Sequence, residues 1–306
     1  MSVAQMAAND ADRGTLMRNV ALAAVGTATF LVIIKTVAFV LTGSIAMMAS
    51  LADSALDVIA SFVNLLAIRH ALTPADDEHR FGHGKAEPLA GLAQSAFIGG
   101  SAVFLVIESI RRIVEPHIIH NGDTGLLIMA VSVVVTLVLV IAQQIVVRRT
   151  GSIAIGADRM HYLSDILVNM GVAAGIVLAA KFGITIADPV VGLMVAGVLA
   201  VGVFHVFRQS YDQLMDRELP DADRARITQI ALRHADVRNL HDLRTRAAGV
   251  TSFIQLHIEM DPALSLMRAH AVSDEVEAAI HTAFPNAEIL IHQDPEGYED
   301  TAPAKP

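Results

Sequence analysis

Cysteine is absent from the chain. That removes disulfides, iron–sulfur clusters and thiolate metal sites from consideration. Any metal must be held by His, Asp, Glu, amides or backbone, a donor set that argues against a Cu(I) specialist and leaves the borderline divalent ions open. An excess of positive charge is missing too. The formal net charge is −9, and residues 211–306 hold 9 Lys+Arg against 17 Asp+Glu. Such an acidic C-terminal region argues against nucleic acid as a partner and against a polybasic membrane anchor. It suits the attraction of cations, although a solvated surface accounts for most of these carboxylates.

Apolar residues are plentiful: 54% of the 306 residues are hydrophobic and the mean hydropathy is +0.53. A soluble protein of this size is less apolar. Six stretches are long enough to cross a bilayer, approximately 20–41, 44–69, 88–111, 125–147, 153–180 and 186–207. Asp10, Asp12, Arg13 and Arg18 near the start, with no small-residue cleavage site, argue against a removable signal peptide. Six spans put both termini on one side. Arg13, Arg18, Arg69, Arg80, Lys85, Arg148, Arg149 and Arg208 fall on that side, against Arg111, Arg112 and Lys181 on the other. The imbalance places both termini in the cytoplasm. Lys35, inside the first span, either snorkels or pairs with a carboxylate, and the sequence assigns it no role.

After Tyr211 the pattern becomes that of a soluble domain. Residues 221–235 read as an amphipathic helix, 239–246 and 251–260 as strands around an Ala-Ala-Gly turn, 264–284 as a helix, and 288–292 as a last strand. The order α-β-β-α-β is a small α+β sandwich. The expected organisation is an α-helical membrane protein. It has a cytoplasmic N-terminal segment (1–19), a six-helix transmembrane domain (20–210), a cytoplasmic metal-binding α+β domain (211–295) and a disordered tail (296–306).

Three constellations carry chemistry. The first is Asp53 and Asp57 in the second span with His161 and Asp165 in the fifth. Each pair has a four-residue spacing, which puts both members on one helix face. Ionisable groups in a bilayer cost roughly 2.5–3.5 kcal/mol each, so they point to function ahead of helix-end pairing with Lys35 or Arg159. Three carboxylates and an imidazole suit a tetrahedral divalent ion. Crowded carboxylates hold protons when no metal is present, and a metal displaces them, so metal–proton exchange follows from the ligand set. The second constellation is Asp76, His79 and His83 in a loop whose glycines permit a tight bend, with a solvated loop as the equally weighted alternative. The third is His241, His257, His292 and Asp294 on the C-terminal strands, with His270 on the intervening helix. Strand pairing is able to gather them.

With these residues in view, the chain resembles the cation diffusion facilitator family, in its bacterial zinc and ferrous-iron efflux branch. The resemblance runs from Arg18 to about Pro295. It rests on Ser50-Leu-Ala-Asp53-Ser-Ala-Leu-Asp57, Phe81-Gly-His83-Gly-Lys85-Ala-Glu87, His161-Tyr-Leu-Ser-Asp165 and Ile291-His-Gln-Asp294-Pro. It implies a homodimeric antiporter in the bacterial inner membrane that exchanges cytoplasmic divalent metal for protons, with lipid around it. Asp53, Asp57, His161 and Asp165 would be the transport site. Asp76, His79 and His83 would form a second site. His241, His257, His270, His292 and Asp294 would form a binuclear cytoplasmic site near the dimer contact, where bound metal stabilises the active dimer. Lys85 and Asp216 match an interlocking salt bridge at the membrane surface. Histidine at 161, where manganese-type members carry aspartate, points to Zn²⁺ as transported and regulatory ion, with Cd²⁺ and then Fe²⁺ as further substrates. The resemblance implies a transporter and no enzyme. Two rivals are a metal sensor or scaffold that moves no ions, and an intramembrane aspartyl protease. The protease is disfavoured because neither Asp57 nor Asp165 stands in a Gly-x-Gly-Asp context.

Overall fold

A computed structural model describes residues 3–42, 45–114, 123–182 and 186–297. Six long helices come first: α1 Val3–Thr42, α2 Ile45–Ala71, α3 Ala86–Val114, α4 Asp123–Thr150, α5 Ile153–Phe182 and α6 Ala187–Leu214. Among the described residues, five stretches of helix, Asp12–Leu41, Ser50–Ala71, Ala86–Val114, Ile128–Thr150 and Pro189–Leu214, are long and apolar enough to cross a membrane. The fifth helix has the length, at 30 residues, and carries Asp158, Arg159, His161 and Asp165 in its first half. The chain separates into two compact units, one over Ala11–Asp212 and the other containing Gln213–Pro306. The tail expected over 296–306 lies outside the described residues from 298 onward.

Within the membrane unit, each helix turns large apolar side chains outward, such as Phe30, Ile33 and Val37 on α1 and Val134, Val138 and Ile141 on α4. In water such patches would be an aggregation liability; against lipid they need no partner. Inward faces mix apolar residues such as Leu31, Ile98 and Leu199 with small and polar ones. A Cβ added at Gly91 on α3 would collide with Ser210 Oγ on α6, and one at Gly202 on α6 would collide with Met160 Cε on α5. Glycine allows these helices to approach at the backbone, the usual device where no hydrophobic effect drives association. α5 packs against α2, α3 and α4. Its start is fixed by Ser152, whose Oγ accepts from Ile155 N–H at 3.3 Å and donates to the buried carboxylate of Glu87 on α3. The same carboxyl group accepts from Ala154 N–H, so Glu87 caps the N-terminus of α5.

The C-terminal unit contains α7 Asp221–Ala231, β1 Asn239–Ala248, β2 Thr251–Met260, α8 Leu266–Ala283 and β3 Ala287–Pro295. This is the α-β-β-α-β order read from the sequence. The sheet order is β1-β2-β3, with β1/β2 antiparallel and β2/β3 parallel. Gly249, at φ 62, makes the hairpin turn in a conformation that suits glycine. Alternation along the strands sorts the faces. Ile254, Leu256, Ile258 and Met260 of β2 join Ile227, Val272, Val276 and Ile280 of the helices in the core, with Ile289 and Ile291 of β3 packed against it. Gln255, His257 and Glu259 therefore take the other face.

Candidate metal centre

In the membrane unit, α2 and α5 meet through polar groups one turn apart. His161 Nε2 lies 3.0 Å from Asp57 Oδ1 and 4.0 Å from Asp165 Oδ2. Asp57, His161 and Asp165 each offer a ligand atom within 4.8 Å of the others. His161 and Asp57 are buried, at 7% and 6% exposure. One turn further along α2, Ser61 Oγ donates to Tyr162 Oη at 2.7 Å, and Tyr162 Oη donates to the Ala24 carbonyl of α1 at 3.2 Å. Tyr162 is 1% exposed, so this hydroxyl relay pins α5 to α1 and α2 immediately beside His161. On the other side, Asp158 accepts from Gln94 of α3 at 3.0 Å and from Gln143 of α4 at 2.7 Å. The imidazole thus sits on a helix fixed in register by four neighbours, as a preorganised ligand requires.

Asp53 does not join the three-residue cluster. It lies one turn earlier on α2, about 6 Å along the axis, and is exposed in a single chain. It remains within electrostatic reach of Asp57, Lys35 and His161.

The loop between α2 and α3 gathers Asp76, His79 and His83. Asp76 Oδ1 accepts the backbone N–H groups of Glu78 at 3.0 Å and His79 at 2.6 Å, an Asx turn that closes the loop. Those two backbone bonds, that to His79 foremost, hold the Asp76 carboxyl below the usual aspartate range. His79 Nδ1 stands 3.3 Å from Asp76 Oδ1, and His83 Nε2 3.4 Å from Asp76 Oδ2. His83 Nδ1 faces the Thr73 carbonyl at 3.3 Å. A carbonyl only accepts, so this contact uses Nδ1 as the donor and leaves Nε2, on the Asp76 side, as the nitrogen a metal would take. Lys85 ends this loop.

In the C-terminal unit, sheet register does the gathering. His241 pairs with His257 across β1/β2, and His257 with His292 across β2/β3. The three imidazoles stand in one row, with centroids 5.0 and 4.5 Å apart. Asp294, two residues beyond His292 and so on the same face, reaches all three: Oδ2 is 2.8 Å from His257 Nδ1 and 3.3 Å from His241 Nε2, and Oδ1 is 3.2 Å from His292 Nε2. His241, His257 and Asp294 each offer a ligand atom within 4.8 Å of the others. His270 is not brought to this row. It is exposed on α8 beside Asp274 at 3.7 Å, and α8 covers the opposite face, so the sheet stands between them within one chain. Asp216, just past α6, lies 3.4 Å from Arg246 of β1.

Some neighbours of these clusters were given no role by the sequence. Asp158 and Glu87 are buried carboxylates in membrane helices, at 1% exposure each. The rule that singled out Asp57 and Asp165 applies to Asp158 equally, three residues before His161. Asp242 (3.9 Å from His257) and Glu259 (3.8 Å from His241) fringe the histidine row of the C-terminal unit. Asp242 sits at φ 45 where the β1/β2 register shifts, an irregularity that sequence alternation does not announce.

Comparison with known proteins places the chain in a family. Residues 21–215 match the cation efflux transmembrane domain, and residues 219–296 match the cytoplasmic domain of cation efflux proteins. The chain is 44% identical over 275 residues to the cation-efflux pump FieF of Pectobacterium carotovorum subsp. carotovorum, covering 90% of this chain and 91% of the relative. It is 43% identical over 280 residues to the FieF pump of Serratia proteamaculans, covering 92% and 93%. Among solved structures, the metal-bound C-terminal domain of the CzcD transporter from Thermotoga maritima aligns with 26% of this chain and 93% of its own, at 26% identity and a TM-score of 0.25. The chain belongs to the cation efflux, or cation diffusion facilitator, family of multi-pass membrane transporters.

Proposed function

We propose that the protein exports divalent metal cations from the cytoplasm in exchange for protons, with Zn²⁺ as first substrate and Cd²⁺ and Fe²⁺ as further ones. In this reading it works as a homodimer in a bacterial inner membrane with both termini in the cytoplasm. One observation carries the reading: Asp57, His161 and Asp165 converge on facing turns of two membrane helices, with His161 and Asp57 buried. A sensor or scaffold needs no ligands inside the membrane unit, and a protease would have no use for the imidazole.

Asp53, Asp57, His161 and Asp165 form the transport site in this account. A metal arriving from the cytoplasm displaces protons from the carboxylates and from His161 Nε2, because only the deprotonated atoms ligate. Asp53, one turn from Asp57 on the same face of α2, supplies the fourth ligand in this account. Rocking of the helix bundle then opens the site outward, protons return to the same oxygens and nitrogen, and the metal leaves. Asp76, His79 and His83 hold a second ion on the loop. His241, His257, His292 and Asp294 hold Zn²⁺ on the cytoplasmic sheet, and His270 enters from a second protomer, since the sheet screens it from the row in its own chain. Metal held between two copies favours the dimer by differential binding.

The reading is tested in bacterial cells stripped of their own zinc exporters. The wild-type chain should restore growth in zinc and lower the cellular zinc content. Asp57→Ala, present at the same level in the membrane, should do neither. Restoration of growth by Asp57→Ala would overturn the site assignment.

A further inference from the structure

Lys35 is a charge in the membrane unit that the transport reading does not use. α1 buries one residue in every three or four: Met17, Ala21, Ala24, Ala28, Leu31, Lys35 and Ala38. Lys35 lies on this inward stripe at 8% exposure, so its stem does not carry the ammonium out to a lipid headgroup. Nζ donates to Ser54 Oγ at 2.6 Å and to the Ser50 carbonyl at 3.2 Å. Both acceptors are neutral, and both belong to α2. Ser54 follows Asp53 directly and precedes Asp57 by three residues, so these bonds hold a positive charge against the ligand-bearing helix. Its field reaches Asp53 on α2 and Asp165 on α5. A buried cation that donates only to neutral oxygens is costly unless nearby charges compensate it. The carboxylates of the metal site are the compensating charges.

We propose that Lys35 is a fixed counter-cation of the α2–α5 metal site, an electrostatic positioning residue that holds metal affinity low enough for release. The proposal rests on the transport-site reading above. Its logic is a charge count. Three ionised ligand carboxylates with a divalent ion carry one net negative charge, and the ammonium offsets it, which lowers the cost of the occupied site in a low-dielectric bundle. The same ammonium repels the bound metal, and inside a protein that repulsion is far stronger than in water. Removing the charge tightens the hold on the ion and leaves the occupied carrier negative. Both effects slow turnover.

The test is Cd²⁺ uptake into vesicles containing the full-length protein at fixed pH, for wild type, Lys35→Met, Lys35→Gln, Lys35→Arg and Asp57→Ala. The neutral variants should lower KM by roughly tenfold or more and lower Vmax as well, and Lys35→Arg should keep both near wild type. Circular dichroism and size exclusion establish that each variant is a folded membrane protein. If Lys35→Met fails there, Lys35→Gln decides, because it retains an N–H for Ser54. An unchanged or raised KM in the neutral variants overturns the proposal, as does a Lys35→Arg that behaves like Lys35→Met. Those failures leave wild-type flux and its loss in Asp57→Ala intact. A wild-type chain without flux, or an Asp57→Ala that transports, removes the transport reading and this proposal with it.

Discussion

Replacing Asp158 with leucine should destabilise the membrane unit sharply, and asparagine should not. Asp158 is 1% exposed and accepts one N–H from Gln94 and one from Gln143. The side-chain oxygens of both glutamines have no hydrogen-bond partner among the described residues. Leucine would strand two further buried donors where no water reaches. At about 1–3 kcal/mol for each stranded donor, the total is about 2–6 kcal/mol. Simple loss of two interhelical hydrogen bonds, at the membrane average of about 0.6 kcal/mol each, would come to only about 1 kcal/mol. The two estimates are far enough apart to be distinguished. Asparagine keeps one acceptor for the first glutamine. Its NH₂ donates to the oxygen of the second once that amide turns over, which also satisfies an orphaned atom. Its cost should stay at about 1 kcal/mol or below. The assay is the fraction of purified protein that remains monodisperse on size exclusion after heating, read as a midpoint temperature. Leucine should lose many degrees and asparagine few. Equal midpoints for leucine and wild type would refute the orphaned-donor argument.

Other changes follow from single contacts. Tyr162→Phe removes the hydroxyl between Ser61 and the Ala24 carbonyl and should cost about 1 kcal/mol of thermal stability, measured in the same assay. Gly91→Ala should lower the midpoint by forcing α3 from α6, and adding Ser210→Ala should restore most of it, because the colliding oxygen is then gone. Asp294→Asn should weaken metal binding at the cytoplasmic row by at least about tenfold, as expected for a lost charged ligand, read by calorimetry; unaltered stoichiometry and affinity would remove Asp294 from the site. Glu275 bonds to His234 and Arg268, and these hold its carboxyl below the ordinary value of 4.5. Its contribution to the cytoplasmic domain is therefore complete above 4.5 and fades as pH falls through the lower folded value. Glu275→Gln should flatten the acid limb of a urea-stability profile and leave its slope near neutrality unchanged.

The parts of the account that sequence made legible share one physical basis: fixed periodicity. The i, i+4 spacing of His161 and Asp165 sets both on one face of α5, and alternation in 251–260 sends Ile254, Leu256 and Ile258 inward and His257 outward, as the structure has them. What escaped depends on which segments meet. Nothing local to Gln94 or Gln143 announces that both reach Asp158, because the three residues come from three helices. Glu87 was legible as part of a motif, but its place at the start of α5 depends on the packing of α3. Lys35 looked like a misplaced charge until the buried stripe of α1 and the oxygens of α2 gave it surroundings. His270 shows the converse. Residue type grouped it with the other histidines, and the sheet separates it from them in one chain.

The central claim is that metal and protons compete for one intramembrane ligand set. It is tested most directly by metal-driven proton flux in vesicles of purified protein with a trapped pH dye, for Zn²⁺, Cd²⁺, Fe²⁺ and Mn²⁺ beside an Asp57→Ala control. The account predicts saturable proton movement opposite to Zn²⁺ and Cd²⁺, lost in the control. Tight metal binding with no proton flux in the wild type, or equal flux in the control, would contradict it.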